Sequence, residues 1–271
     1  MTKDLGILQG ELLVFGGVYS NLQALEALRA QAEAKAIPTS NIICTGDIVG
    51  YCAQPEECVQ FIKDWGIHTI AGNVELNLRD EADDCGCNFN EGSRCDIFSR
   101  QWYPFAKKQL SADSIQWIME IPEFITFEYN DQKVFVLHGS YGNTSEFIFK
   151  STLWETKAQN FNATQADIIL GGHCGLPFED VSEGKYWLNA GVIGMPANDG
   201  QTDVWFMTMN DSNGLSYKHH TLSYDFAKAN ALMLANPLPT SYAQTLIDGI
   251  WDNCEILPAV ETAAQGQAIL V

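Results

Sequence analysis

The side chains of this chain best suited to chemistry are Asp47, Asn73, His138 and His173. Asp47 closes the apolar run Asn41-Ile-Ile-Cys-Thr-Gly-Asp47, and Asn73 follows Gly72. His138 lies in Leu137-His138-Gly139, and His173 ends Gly171-Gly172-His173. Each sits where a strand is expected to end. One carboxylate, one amide oxygen and two imidazoles make a donor set that suits Zn²⁺, Mn²⁺ or Fe²⁺ better than a soft thiophilic ion. Each residue alone also has an ordinary structural use. Asp47 reads equally as a turn cap, Asn73 as a left-handed backbone position, and both histidines as hydrogen-bonded core residues.

The cysteines offer a second set. Asp83-Asp84-Cys85-Gly86-Cys87 is followed by Cys95, and three thiols this close could hold Zn²⁺ with a fourth ligand. The close pair has a one-residue spacer and no second pair follows, which is not the pattern of a zinc ribbon. A reduced loop, or a Cys87–Cys95 or Cys85–Cys95 disulfide, is the alternative. Cys44, Cys52 and Cys58 fall on a strand, a turn and a helix and are expected to pack.

A framework must bring these groups together. With 46% hydrophobic and 18% charged residues among 271, the chain can bury a sizeable core and suits one large domain. A net charge of −19 disfavours nucleic acid or a membrane surface as partner, since both are anionic. It leaves room for a small phosphorylated substrate, because a bound cation reverses the local field. No apolar run approaches the ~20 residues that span a bilayer. Residues 1–10 lack a basic segment followed by an apolar one, so the expected compartment is the cytoplasm, where thiols stay reduced.

Glu11–Phe15 reads as a buried strand, and Ser20 or Asn21 caps a helix with Leu22, Leu25, Leu28 and Ala32 on one face. Ile42–Cys44 is the next strand, Pro55 opens a helix that ends near Gly66, and His68–Ala71 is a third strand. Strands alternating with helices predict a parallel sheet, whose function collects at the carboxyl ends of the strands. Residues 80–96 read as a loop, then helices over Phe98–Gln109 and Ser111–Ile121. Phe124–Tyr129, Val134–Leu137, Ile168–Leu170, Glu179–Ser182, Tyr186–Asn189, Asp203–Met209 and Leu215–Thr221 predict strands that continue in an antiparallel pattern. Phe226–Leu234 and Tyr242–Ile250 predict helices, and 259–271 a loosely held tail. The expectation is an α/β (α+β) fold: a four-layer αββα sandwich of two mixed β-sheets flanked by helices. Its main domain spans residues 1–222, with a loop and helical insertion at 80–122, and residues 223–271 form a helical extension.

The ordered motifs resemble those of the calcineurin-like metallophosphoesterase superfamily, in particular its compact bacterial phosphodiesterase-like branch. The resemblance covers roughly residues 10–220. It rests on Ser20-Asn-Leu-Gln-Ala-Leu25, Gly46-Asp-Ile-Val-Gly-Tyr-Cys52, Gly72-Asn-Val-Glu75, Leu137-His-Gly-Ser140, Gly171-Gly-His-Cys-Gly-Leu-Pro177 and Asn189-Ala-Gly-Val-Ile-Gly-Met-Pro196. It implies two-metal hydrolysis of phosphate esters, with a bridging carboxylate between the ions. Position by position, Asp47 (the bridge), Asn73, His138 and His173 match the ligands of one metal. For the other metal only Asp47 remains: Gly17, Tyr19 and Gly175 stand where the family carries Asp, His and His. Val74 stands where a histidine assists the leaving group.

The resemblance therefore implies a divergent metal-dependent phosphoesterase that holds one divalent or trivalent ion (Mn, Zn or Fe), a second ion being doubtful. Weak or narrow hydrolysis of a phosphodiester or phosphomonoester is expected. Three replacements are candidates for new catalytic roles. Tyr19 could ligate iron or bind a phosphate, Glu75 could orient a water, and Cys174 could bind metal or act as a nucleophile. Their ordinary alternatives are a packed ring, a helix-start acid and a buried thiol. Two other readings stand beside this one: a non-catalytic descendant binding a metal, a nucleotide or a protein partner, and a redox or metal sensor built on the cysteines. Homo-oligomerisation is left open.

Overall fold

The computed structural model describes residues 1–87 and 89–271. The first half runs β1 (Thr2–Ile7), β2 (Leu12–Phe15), α1 (Leu22–Ala34), β3 (Ile42–Cys44), α2 (Pro55–Trp65), β4 (His68–Thr69), α3 (Asn73–Arg79), α4 (Arg94–Gln109) and α5 (Ala112–Glu120). There follow β5 (Phe124–Tyr129), β6 (Gln132–Val136), α6 (Trp154–Thr164), β7 (Ile168–Gly171), β8 (Pro177–Ser182) and β9 (Lys185–Ala190). The chain ends with β10 (Val204–Asn210), β11 (Ser216–Leu222), α7 (Phe226–Leu234), α8 (Thr240–Asp248) and α9 (Ala259–Ala263).

Two mixed sheets form, ordered β11-β10-β2-β3-β4 and β1-β5-β6-β7-β9-β8. Residue alternation along each strand explains why they stack. On β2, Leu12 and Val14 enter the apolar layer between the sheets, while Leu13 and Phe15 face the helices. On β10, Met207 and Met209 point between the sheets and Val204 and Phe206 outward. The second sheet answers with Val134, Val136, Ile168, Leu170 and Leu188 inward, and with Phe135, Ile169 and Trp187 toward the helix α6 side. Helices on both outer faces complete four layers, as the strand and helix patterning predicts. Each fully buried aliphatic or aromatic side chain contributes roughly 1.5–3 kcal/mol, so strands buried on both faces anchor the molecule.

Local signals set the element ends. The Asn21 side chain caps α1 by accepting from the Ala24 N–H at 3.2 Å. Its amide donates to the Gly194 carbonyl at 3.0 Å, which ties the start of α1 to the loop after β9. Pro55 opens α2, and Gly66 closes it at φ +70°. Ser93 and Ser111 cap α4 and α5.

Three expectations are corrected. The strands after residue 168 are not uniformly antiparallel: β7 pairs parallel with both β6 and β9, and β10 joins the first sheet against β2. Partner choice there is a long-range packing decision that local patterning does not carry. Four elements escape the sequence reading: β1, which pairs parallel with β5, and α3, α6 and α9. The tail is docked, since Glu261 accepts from Ser151 N at 3.0 Å and Oγ at 2.6 Å and Gly266 N donates to Asn198 O at 2.8 Å. Helices α7 and α8 bury Ala229, Met233, Ala243 and Leu246 in the same core as α1 and α2. No helix among the described residues is long and apolar enough to cross a membrane.

Asn21→Ala removes the cap and the link to Gly194 together. The expected result is a loss of about 1–3 kcal/mol in unfolding free energy, read as a lower urea midpoint at unchanged slope. An unchanged midpoint would show that α1 does not depend on this residue.

Candidate metal centre

The four donors arrive from four strand ends of both sheets. Asp47 follows β3 in a left-handed backbone position, φ +56°. Asn73 is the first residue of α3, just past β4. His138 lies two residues beyond β6, and His173, at φ +59°, two residues beyond β7. Ligand atoms of Asp47, His138 and His173 all fall within 4.8 Å of one another, and all three residues are buried. The Asn73 Oδ1 joins them, 3.1 Å from His138 Nε2.

The chemistry of this cluster follows from what lies behind each donor. His138 Nδ1 is 2.7 Å from the Thr45 carbonyl, so Nδ1 carries a proton and Nε2 of the neutral ring presents a lone pair. Asn73 Nδ2 donates to the Cys85 carbonyl at 2.9 Å and to Cys87 Sγ at 3.2 Å, which turns Oδ1 toward the cluster. Around His138 Nε2 therefore stand Asn73 Oδ1 at 3.1 Å, His173 Nδ1 at 3.2 Å and Asp47 Oδ2 at 3.2 Å. With the His173 proton on Nε2, all four atoms present lone pairs to one another. A proton on His138 Nε2 satisfies one of them at a time, whereas a cation satisfies all four. Bonds of 2.0–2.2 Å to a tetrahedral ion put ligand atoms about 3.3–3.6 Å apart, close to the spacings found. The residues present fit a metal ion.

Ionisation obeys the same geometry. Burial disfavours charge on His138, but Asp47 outweighs it and holds the imidazole above its usual range. Burial, then the neighbouring His138, pushes His173 down to about 3. Burial alone would raise Asp47, yet His138 and His173 hold it below the usual carboxylate range. Without a cation, Asp47 thus favours the protonated form of His138.

The loops that carry the donors are held by Glu75, which is fully buried. Its Oε2 accepts from the Asp47 and Gly72 N–H groups at 2.9 Å, and Oε1 from Val49 N at 3.0 Å. Both oxygens are occupied by backbone, so Glu75 does not orient a water; it positions Asp47. Burial and the adjacent Asp47 push its pKa up to about 7. Gly72 admits the Asp47 carboxylate: a Cβ there would lie 2.1 Å from Oδ1.

The other expected residues divide. Tyr19 is buried at φ +49°, with its ring over Gly17, where an added Cβ would come within 2.5 Å of Cζ. Tyr19 and Asp47 line one cleft. Burial, reinforced by Tyr51 and Asp47, raises the phenol well above its usual range, which favours its protonated form. Cys174 is buried, accepts from Asn189 Nδ2 at 3.3 Å, and burial pushes its pKa up to about 12. A thiol held neutral in this way is a poor nucleophile near neutral pH. The cysteine cluster does not form: Cys85 and Cys87 are joined in a disulfide, and Cys95 Sγ reaches Asn253 Oδ1 instead. Among the described residues, Asp47, His138 and His173 are the only such group of three metal-capable side chains.

Other contributors carry no local sequence signal. The Thr45 carbonyl orients His138, Phe147 stacks on His173 with centroids 4.2 Å apart, and Tyr242 and Trp251 line the cleft from the C-terminal segment.

Comparison with known proteins follows the same lines. A family model described as a calcineurin-like phosphoesterase superfamily domain matches residues 12–212. The uncharacterized protein MJ0912 of Methanocaldococcus jannaschii is 27% identical over 256 residues, covering 88% of this chain and 98% of its own. A metallophosphoesterase from Sphaerobacter thermophilus superposes with a TM-score of 0.68 at 24% identity, over 90% of this chain and 100% of that one. The hypothetical protein PH1004 of Pyrococcus horikoshii gives 0.75 at 16% identity, over 93% and 100%. At these identities the two structures speak for the fold alone.

Two outcomes are expected. A metal must displace the His138 proton, so metal binding strengthens as pH rises. In the metal-free protein the raised His138 value contributes stability fully below the ordinary imidazole pKa of about 6.5, and that contribution is lost as pH climbs through the folded value. The gain in melting temperature on adding Mn²⁺ or Zn²⁺ should therefore be larger at pH 8 than at pH 6; an equal gain at both would remove the proton from this account. Glu75→Gln leaves one oxygen for three backbone donors and should lower unfolding free energy by about 1–3 kcal/mol, together with metal affinity. Retention of both in denaturation and metal-competition assays would show that Glu75 does not hold the loops.

Proposed function

We propose, from the premise that this chain belongs to the calcineurin-like phosphoesterase superfamily, that it is a metal-dependent phosphoesterase working with a single metal half-site. Asp47, Asn73, His138 and His173 would hold one Mn, Zn or Fe ion. Bound there, the ion supplies Lewis acidity that acidifies an attacking water and polarises a phosphoryl oxygen. The observation that carries the reading is the convergence of Asn73 Oδ1, His173 Nδ1 and Asp47 Oδ2 on His138 Nε2, with His138 and Asn73 fixed from behind by hydrogen bonds.

The absence of a second ion in this reading is supported by what stands at the remaining positions. The Tyr19 ring occupies the space above Gly17. Gly175 has no side chain to offer, and the Trp251 ring lies 3.4 Å from where its Cβ would be. Tyr19 keeps its phenolic proton and can donate it in a hydrogen bond to a phosphoryl oxygen, replacing part of the lost charge stabilisation. Val74, buried beside Asp47, offers no proton to a departing alkoxide. Two preferences follow. Diesters, with less charge to stabilise, are turned over better than monoesters, and esters with acidic leaving groups better than simple alkyl esters.

The test is hydrolysis of bis(4-nitrophenyl) phosphate and 4-nitrophenyl phosphate by protein loaded in turn with Mn²⁺, Zn²⁺ and Fe²⁺. The diester should be favoured about tenfold or more in kcat/KM, and His138→Ala should lower turnover about a hundredfold. Unchanged activity in His138→Ala would remove the site assignment. Bound metal without any turnover would favour the non-catalytic reading.

A further inference from the structure

The cleft above the centre is walled by the rings of Tyr19, Tyr51, Phe147, Tyr242 and Trp251 and has a volume of about 80 Å³. Its walls are set before any ligand arrives. Tyr51 packs edge-on against Tyr19 at 4.5 Å and against Tyr242 at 5.0 Å between centroids. Trp251 is pinned at both ends: its indole donates to the Pro196 carbonyl and its backbone N–H to Asn198 Oδ1, each at 2.8 Å. Rings held in this way bind a ligand without an ordering cost.

The charges are as informative as the rings. Asp47 and Asp252 supply carboxylates to the lining, and no lysine or arginine contributes to it among the described residues. Arg94 is engaged by Asp252, its Nη2 donating to Oδ1 at 2.7 Å. One ion on the four donors therefore meets one phosphate charge, and a dianionic or polyphosphate group would bring further charge against Asp252 with no cation to match it. Size sets another limit. About 80 Å³ is less than the roughly 150 Å³ of an enclosed cavity that holds benzene, so a single ring is only partly enclosed against the aromatic wall and a second finds no room.

We infer that the cleft takes a singly charged phosphodiester whose ester group is one compact aromatic ring packed against Trp251 and Tyr242, and that these two residues of the C-terminal segment set the preference. The position of the phosphate rests on the phosphoesterase reading above; the ring preference rests on the wall itself.

Calorimetric binding to Mn²⁺-loaded protein tests it without turnover, using phenyl methylphosphonate, methyl methylphosphonate and pyrophosphate. The phenyl ester should bind about tenfold more tightly than the methyl ester, and pyrophosphate more weakly than the phenyl ester. Trp251→Leu should erase the phenyl advantage, read as the ratio of phenyl-ester to methyl-ester affinity. Asp252→Asn releases Arg94 and should strengthen pyrophosphate about threefold at low salt without improving the phenyl ester, a gain that misfolding does not produce. Equal affinity for the two esters, a phenyl advantage that survives Trp251→Leu, pyrophosphate binding most tightly, or no binding of the phenyl ester would each overturn the inference. If the phenyl preference holds but phenyl phosphodiesters are not cleaved, the hydrolase reading alone is lost. If cleavage occurs without ring preference, this inference alone is lost.

Discussion

A carboxylate, an amide oxygen and a second imidazole crowd around His138 Nε2 at 3.1–3.2 Å. Such an arrangement is repulsive unless something positive stands among them, so the rest of the fold must hold it in place. Two sheets contribute. Asp47 and Asn73 follow the neighbouring strands β3 and β4 of one, and His138 and His173 the central strands β6 and β7 of the other. The apolar layer between the sheets fixes the distance between those strand ends, and the parallel pairing of β2, β3 and β4 and of β6, β7 and β9 brings the carboxyl ends of these strands to one side.

Around the donors the chain is almost fully committed. Glu75 ties three backbone N–H groups in the loops after β3 and β4, and Gly72 leaves room for the Asp47 carboxylate. This is why the centre tolerates left-handed backbone at Asp47. The strain is local, and the surrounding hydrogen bonds over-determine it. Beyond the donors the wall changes character, from polar and bonded to aromatic and apolar, and much of that wall comes from residues 242–256.

The four donor positions were legible because each lies at the end of a short apolar run, and the run itself predicts a strand. The sheet layers were legible for the same reason: a period of two in Leu12–Phe15, Val134–Val136 and Ile168–Leu170 assigns faces without knowledge of partners. What failed was non-local. The parallel pairing of β7 with β9 depends on the path of the intervening hairpin, and β1 is a mostly exposed edge strand with no apolar pattern to announce it. Residue type leaves Glu75 and Cys174 open between a reactive and a packed role, because reactivity is decided by burial and by which atoms are already bonded. Trp251 lies far along the chain from every motif it touches, and nothing in its neighbours marks it.

Asn73 has two faces. Its oxygen looks into the centre, while its nitrogen is held by the Cys85 carbonyl and Cys87 Sγ, both acceptors. An aspartate of the same shape would satisfy the first and be repelled by the second, so an isosteric change would eject the side chain while adding the charge a cation might seem to want. The neutral amide is therefore dictated from the rear, by the turn that carries the sulfur pair, and the charge balance of the centre is set outside it.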